Sequence, residues 1–154
     1  MASPSGVIKG LVREFLGTPS RATNFASATY ALLGAAFAAT GAAYMLAPSA
    51  TLAGVFGAGA ARAAGPAAGL MWQMLGAGVA CVVAGACYSL KEGASFRDLT
   101  ETKFKWLNFA LAAGALGHVI MLGPLAAGQG GPLAPVLLAV WGLTMLMGAT
   151  NAFA

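Results

Sequence analysis

The sequence predicts an all-α membrane protein, a four-helix bundle preceded by an amphipathic helix at the membrane interface. The 154 residues are 59% hydrophobic and only 8% charged, with a mean hydropathy of +0.80, whereas a soluble domain carries about 25% charged residues. Four apolar stretches have the length, or nearly the length, needed to cross a bilayer. Prolines lie between the first and second stretches and between the third and fourth, and we treat residues 1–154 as a single membrane domain.

The four predicted membrane spans cover about residues 25–46, 69–90, 106–122 and 132–153, and none contains Asp, Glu, Lys or Arg. A helix needs about 20 residues to cross a hydrocarbon core of about 30 Å, a length that the third stretch nearly reaches. Proline disfavours helix continuation beyond the first turn. The spans are bounded by Pro48, Pro66, Pro124 and Pro132. Because a transmembrane β-barrel requires alternating segments of about ten residues, which these runs lack, we expect helices.

Residues 5–17 are predicted to form an amphipathic helix that lies along the membrane interface. Apolar residues recur there at positions 8, 11, 12, 15 and 16, which places them on one side of a helix with the charges opposite. A basic N-terminal segment with few acidic residues is also typical of a targeting sequence. Glu14 is unusual in a transit peptide, so we favour a surface helix that is retained.

The basic residues predict which side of the membrane each loop faces, because Lys and Arg are enriched in loops that stay inside. Seven of them fall in the N-terminal tail or in the loop between the second and third spans: Lys9, Arg13, Arg21, Lys91, Arg97, Lys103 and Lys105. Only Arg62 lies in the first loop. Both termini are therefore predicted on the stromal, matrix or cytoplasmic side. A basic face interleaved with aromatic residues would indicate nucleic-acid binding, and the sequence contains no such face.

Three polar side chains in the spans, His118, Gln73 and Asn108, are the candidate cofactor ligands. An intramembrane imidazole is a ready metal ligand, so His118 is a candidate axial ligand to chlorophyll. The alternative for each is a hydrogen bond to a neighbouring helix or carbonyl, which is common for lone polar residues in membranes. Trp141 lies deep in the fourth span and is expected to face lipid or a pigment.

The expected cofactors are chlorophyll and carotenoid, and the alternative is that the chain binds none. A single histidine cannot provide both ligands of a bis-histidine haem. The sequence contains no Ser-His-Asp set, carboxylate pair, phosphate-binding loop or CxxC motif. We therefore do not predict an enzyme.

A series of short motifs resembles a known family of small membrane proteins. In chain order they are Val12-Arg13-Glu14-x-Leu16-Gly17, Met45-Leu46-Ala47-Pro48, Val55-Phe56-Gly57, Leu75-Gly76-Ala77, Tyr88-x-x-Lys91-Glu92 and Leu99-Thr100-Glu101. Over about residues 11–110 this chain is similar to the tumour protein p-fifty-three inducible protein eleven family, and more distantly to DoxX-like four-helix proteins. The resemblance implies a four-helix membrane fold and carries over no catalytic residues.

The predicted function is that of an accessory, non-catalytic subunit of a large energy-transducing membrane complex. Its partners would be other membrane subunits and lipids. An algal photosystem–antenna supercomplex in the thylakoid membrane is the first candidate, with pigment ligation at His118, Gln73 or Asn108. A respiratory complex of the mitochondrial inner membrane is the alternative, as is a free-standing DoxX-like protein linked to redox or quinone chemistry. A small transporter is disfavoured because its spans would normally carry charged residues.

The charge asymmetry generates a testable topology. We expect single cysteines at Ser3 and Ser95 to be labelled from the same face of sealed vesicles, since both lie in segments rich in Lys and Arg. Cys81 and Cys87 are first replaced by serine to remove background labelling. Labelling of the two positions from opposite faces would exclude four spans.

Overall fold

The computed structural model describes residues 24–153, and its long helical stretches confirm the predicted bundle. No strand occurs within this range. The stretches Phe25–Leu46, Gly65–Phe96, Thr102–Gln129 and Ala134–Phe153 are each long and apolar enough to cross a membrane. The protein is therefore an all-α membrane protein, while the predicted amphipathic helix over residues 5–17 lies outside the described residues.

Seven α-helices make up this part of the chain. They are α1 (Phe25–Leu46), α2 (Pro48–Phe56), α3 (Ala58–Ala63), α4 (Gly65–Gly78), α5 (Ala84–Phe96), α6 (Thr102–Pro124) and α7 (Ala134–Phe153). A π-helical turn over Val79–Val83 joins α4 to α5, and a second over Leu125–Gln129 extends α6. The two short helices α2 and α3 occupy the first loop, which lies outside the predicted spans.

The second and third helical stretches run beyond the predicted 69–90 and 106–122. The second has 32 residues, about 48 Å at 1.5 Å per residue, and so exceeds a hydrocarbon core of about 30 Å. Helical hydrogen bonding continues through Lys91 and Glu92, where the apolar pattern has already ended. The third continues past Pro124 in its π-helical turn until Gly128, whose φ of 114° breaks the helix.

The four spans form two pairs. In the first pair, α1 packs against the span made of α4 and α5, and in the second, α6 packs against α7. Asn24 fixes one end of the first pair. Its Oδ1 accepts from the backbone N–H of Ser27 at 2.8 Å and caps α1, while its Nδ2 donates to the carbonyl of Ala94 at 2.6 Å. The hydroxyls of Ser27 and Ser95 lie 2.8 Å apart. The start of α1 is thus bonded to the end of α5.

Glycine allows the closest approach between helices in each pair. A Cβ added to Gly41 would lie 2.5 Å from the carbonyl oxygen of Gly76, and one added to Gly76 would lie 2.7 Å from that of Gly41. In the second pair, a Cβ on Gly148 would lie 2.8 Å from the carbonyl oxygen of Asn108. Small residues at these crossings let the backbones touch, as is typical of membrane helices.

Contacts near the middle and near both ends of the bundle join the two pairs. The ring centroids of Phe37 on α1 and Trp141 on α7 are 4.5 Å apart. Near one end, the Tyr30 hydroxyl on α1 bonds to Asn108 on α6. Towards the other, the N–H groups of Gly131 and Leu133 donate to the carbonyls of Val55 and Gly54, at 2.9 and 2.7 Å, and connect the start of α7 to the end of α2.

Asn24 and Asn151 lie at the same end of the bundle, because Asn24 bonds to α5 and Asn151 bonds to Tyr30 near the start of α1. Three large aromatic residues at this end, Phe25, Trp106 and Phe153, are exposed. Exposed aromatic rings at the ends of spans are typical of the membrane–water interface. Which membrane side this end faces stays a prediction.

The Gly41–Gly76 crossing generates a stability test. Gly76→Ala should lower the free energy of unfolding by about 1–3 kcal/mol, the usual range for overpacking, because its methyl group meets the α1 backbone. Gly78→Ala is the matched control, since a Cβ at Gly78 has no atom within 4 Å. Unfolding of both variants in mixed micelles measures the difference. Equal stability would contradict the close crossing.

Candidate functional site

A cavity of about 100 Å³ lies between the four spans. Its lining comes from α1 (Thr40, Tyr44), α2 (Val55, Phe56), α4 (Trp72, Leu75), α6 (His118, Met121, Leu122) and α7 (Leu137, Trp141), together with Val79 and Leu125 of the π-helical turns. Leu75 and Met121 are 40% and 67% exposed, so the cavity opens on the apolar surface between them. An enclosed apolar cavity of about 150 Å³ holds benzene, which indicates that this open cavity has the scale of one six-membered ring.

Aromatic rings form two walls of the cavity. In one, the Trp72 ring lies 4.3 Å from that of Tyr44 and 5.6 Å from that of Phe56, between centroids. The Trp72 Nε1–H donates to the Thr51 hydroxyl at 2.8 Å, which fixes the indole plane. Such pairs contribute about 0.5–1.5 kcal/mol beyond their buried area.

The other wall is the parallel stack of His118 on Trp141, with centroids 3.9 Å apart and planes inclined by 10°. Trp141 also contacts Phe37 and is only 5% exposed. The expectation that Trp141 faces lipid is therefore wrong. Its side of α7 turns towards α1 and α6, and the indole forms part of the core.

The hydrogen bond of His118 determines which ring nitrogen is free. Its Nδ1 lies 2.9 Å from the carbonyl oxygen of Gly114, one turn back along α6. A carbonyl oxygen can only accept, so Nδ1 carries the proton. In the neutral imidazole, Nε2 then keeps its electron pair. His118 thus bonds to a carbonyl of its own helix, which is one part of the predicted alternative, and it is also one of the residues that line the cavity.

Gln73 lies outside the cavity lining and bonds across the first helix pair. Its Nε2 donates to the carbonyl of Met45 at 2.9 Å, close to the end of α1. That carbonyl belongs to the last turn of the helix, where carbonyls lack partners within the helix. The amide of Gln73 therefore stabilises the end of α1, which matches the predicted alternative of an interhelical bond.

Asn108 is fully buried and belongs to a polar network among α1, α6 and α7. The Tyr30 hydroxyl donates to Asn108 Oδ1 at 2.6 Å and accepts from Asn151 Nδ2 at 3.0 Å. Asn151 Nδ2 also donates to the carbonyl of Met147 at 2.8 Å. Among the buried side-chain polar atoms of residues 24–153, only Asn108 Nδ2 has no hydrogen-bond partner. The network ties the two helix pairs together around the Tyr30 hydroxyl.

The three predicted ligands do not converge on one site. His118 and Asn108 lie ten residues apart on α6, which is about 15 Å along the axis, and Gln73 bonds near the opposite end of α1 from Asn108. Within residues 24–153 no group of three or more His, Cys, Asp or Glu side chains is placed to hold a metal ion. The cofactor roles of His118, Gln73 and Asn108 stay predictions.

Thr40 and Tyr44 are cavity residues that sequence reasoning missed. They lie four residues apart in α1 and so on one face of the helix. Both carry neutral hydroxyl groups, whereas the sequence was interpreted from its charged and metal-ligating side chains. The available signal was the helical spacing of Thr40 and Tyr44 in the second half of a span whose other hydroxyl-bearing residues, Ser27, Thr29 and Tyr30, lie in its first two turns.

None of the family models, curated proteins or solved structures compared with this chain gives a match. The resemblance to the tumour protein p-fifty-three inducible protein eleven family, and to DoxX-like proteins, therefore stays a prediction.

The Tyr30 network generates a prediction with a matched control. Tyr30→Phe should lower the free energy of unfolding by about 0.6–1.7 kcal/mol, the range measured for interhelical hydrogen bonds in membranes, because Asn108 and Asn151 both lose a partner. Tyr44→Phe removes a hydroxyl without a hydrogen-bond partner among the described residues and should not lower the free energy of unfolding. Chemical unfolding in micelles measures both. A Tyr30→Phe protein as stable as Tyr44→Phe would contradict the network.

Proposed function

We propose that this chain is an accessory, non-catalytic subunit of a large energy-transducing membrane complex. The observation that carries the proposal is the outward face of α6. Gly114 and Gly117 are exposed there, and a Cβ added to either would have no atom within 4 Å. Ala110 and Ala113 continue the same exposed face. These glycines are not required by the chain's own packing, in contrast to Gly76.

A glycine in a helix costs about 0.5–1 kcal/mol relative to alanine. An exposed glycine on a membrane helix allows the close approach of another helix, and on α6 two of them, Gly114 and Gly117, lie one turn apart on the same face. The third span is also the least covered, with 11% of its central window buried within this chain against 22–39% for the other three. We therefore place the partner subunit on α6.

The polar side chains inside the bundle support a structural role. The amide of Gln73 and the Tyr30–Asn108–Asn151 network are engaged in bonds between helices. Ion pathways and proton relays instead use ionisable groups within the membrane, commonly as chains of carboxylates or histidines. The arrangement suits a subunit that stabilises an assembly.

Among hosts, we place a photosystem–antenna supercomplex of the thylakoid membrane first. The supporting observation is His118, whose Nε2 keeps an electron pair suited to the magnesium of a chlorophyll. A respiratory complex of the mitochondrial inner membrane is the second host, favoured by the basic amphipathic pattern over residues 5–17.

Substitution on the exposed face of α6 separates assembly from folding. Gly114→Leu should not lower the stability of the isolated chain, because a Cβ at this position meets open space and glycine is unfavourable in a helix, but it should abolish co-migration with a larger complex on native gels. Leu111→Ala should lower the stability of the isolated chain, since Leu111 is buried within the bundle and its truncation costs about 2–5 kcal/mol. It should retain co-migration with the larger complex.

Gly85→Leu controls for bulk on an exposed helix face, because Gly85 on α5 also faces open space. We expect it to retain co-migration. Co-migration of Gly114→Leu at the wild-type yield would show that the α6 face contacts lipid, and the proposed interface would be wrong.

A further inference from the structure

We infer that the cavity beside Thr40, Tyr44 and His118 binds the ring of a phenol-headed lipid, a six-membered aromatic ring that carries a hydroxyl group and an apolar chain. This inference does not depend on the proposed assembly, since it concerns only the interior of this chain. It rests on the polar groups that the cavity leaves unpaired, on its aromatic walls and size, and on the position of its opening.

Two hydroxyl groups on the α1 side of the cavity are unpaired. Those of Thr29, Thr51 and Thr144 each donate to a carbonyl one turn back in their own helix. The hydroxyls of Thr40 and Tyr44 make no hydrogen bond with any described residue. The Tyr44 hydroxyl is also not enclosed by protein. In an apolar medium an unsatisfied hydroxyl is costly, so these two groups are placed to donate to an oxygen atom of a ligand.

His118, across the cavity on α6, provides the complementary group. His118 lines the cavity, and because its Nδ1 donates to Gly114, the remaining nitrogen of the neutral ring, Nε2, can only accept. The site therefore holds two donors on α1 and one acceptor on α6. A phenol hydroxyl matches this set, since its oxygen accepts from Thr40 or Tyr44 while its hydrogen is donated to Nε2.

The walls and the volume select a flat ring. A volume of about 100 Å³ with one open side suits a single aromatic ring. Trp72 and Trp141 provide indole surfaces for stacking or edge-to-face contact. The opening between Leu75 and Met121 leads to the exposed apolar surface, where an aliphatic chain on the ring would continue among the lipids.

A chlorophyll on His118 and a phenol in the cavity exclude each other, because both require the electron pair of Nε2. The cavity is smaller than a macrocycle, so a chlorophyll would have to lie at the opening, outside the walls formed by Trp72 and Tyr44. Chlorophyll is therefore one of the competitors tested for displacement of the phenol.

The test uses quenching of tryptophan fluorescence by 4-bromophenol in the full chain reconstituted in lipid nanodiscs. The chain has three tryptophans, and Trp106→Phe leaves only Trp72 and Trp141, which both line the cavity. The comparison ligand is 4-bromoanisole, which keeps the ring, the bromine and the oxygen but lacks the O–H. After correction for partitioning into lipid, we expect saturable quenching by 4-bromophenol at about three- to tenfold lower concentration, the effect of one hydrogen bond.

Substitutions show which cavity residue makes each hydrogen bond with the ligand. His118→Phe keeps a ring beside Trp141 and removes the acceptor, so it should abolish the preference for the phenol over its methyl ether. Tyr44→Phe and Thr40→Val should weaken both ligands about three- to tenfold and retain the preference. Thr144→Val is the control for Thr40→Val, since Thr144 is buried outside the cavity, and it should change neither ligand. Equal, non-saturable quenching by both ligands, or a preference that survives His118→Phe, would overturn the inference.

Competition identifies the natural source of the phenol. Displacement of 4-bromophenol by a short-chain prenylated hydroquinone supports a quinol lipid, and displacement by a pentamethylchromanol supports a tocopherol-type lipid. Failure of both to displace the probe counts against a phenol-headed lipid. Displacement by chlorophyll alone would overturn the inference in favour of the pigment. None of these outcomes bears on co-migration of the Gly114→Leu variant, so the proposed assembly is judged separately.

Discussion

The hydrocarbon core of a membrane contains no water, so a polar group of the spans is costly unless it has a partner in the protein or in a ligand. The backbone meets this constraint by forming helices. Side chains meet it in the same way, because Thr29, Thr144 and His118 each donate to the carbonyl four residues back. For His118 this bond has a chemical result, since it assigns the proton to Nδ1 and leaves Nε2 as an acceptor. The rule that shapes the spans therefore also sets the chemistry of the cavity.

The sequence was sufficient to predict the four helices, because uncharged runs of about 20 residues have one stable form in lipid. It could not predict how far helices continue through polar residues, as at Lys91 and Glu92, since interfacial water satisfies charged side chains without breaking the helix. Nor could it assign roles to the glycines. Gly76 and Gly114 look alike in sequence, yet one faces a backbone and the other faces open space.

For the candidate site, the sequence correctly singled out His118, Gln73 and Asn108 as polar groups in apolar surroundings, but not their partners. The partners of Gln73 and Asn108 are distant in the chain, 28 and 78 residues away. The cavity arises where Tyr44 and His118 from different helices meet. Such convergence depends on the crossing of helices, which spacing along one helix does not encode.

The bonds from Gly131 and Leu133 to the carbonyls of Val55 and Gly54 have a consequence for the order in which the chain assembles. These carbonyls belong to the last turn of α2, where a helix leaves its carbonyls without internal partners. They are in position only after α1 has ended and α2 has formed. The segment that leads into the fourth span therefore binds to a surface formed by the first half of the chain. The ribosome delivers these parts in that same order, so the acceptor carbonyls of α2 are synthesised before the segment that binds them.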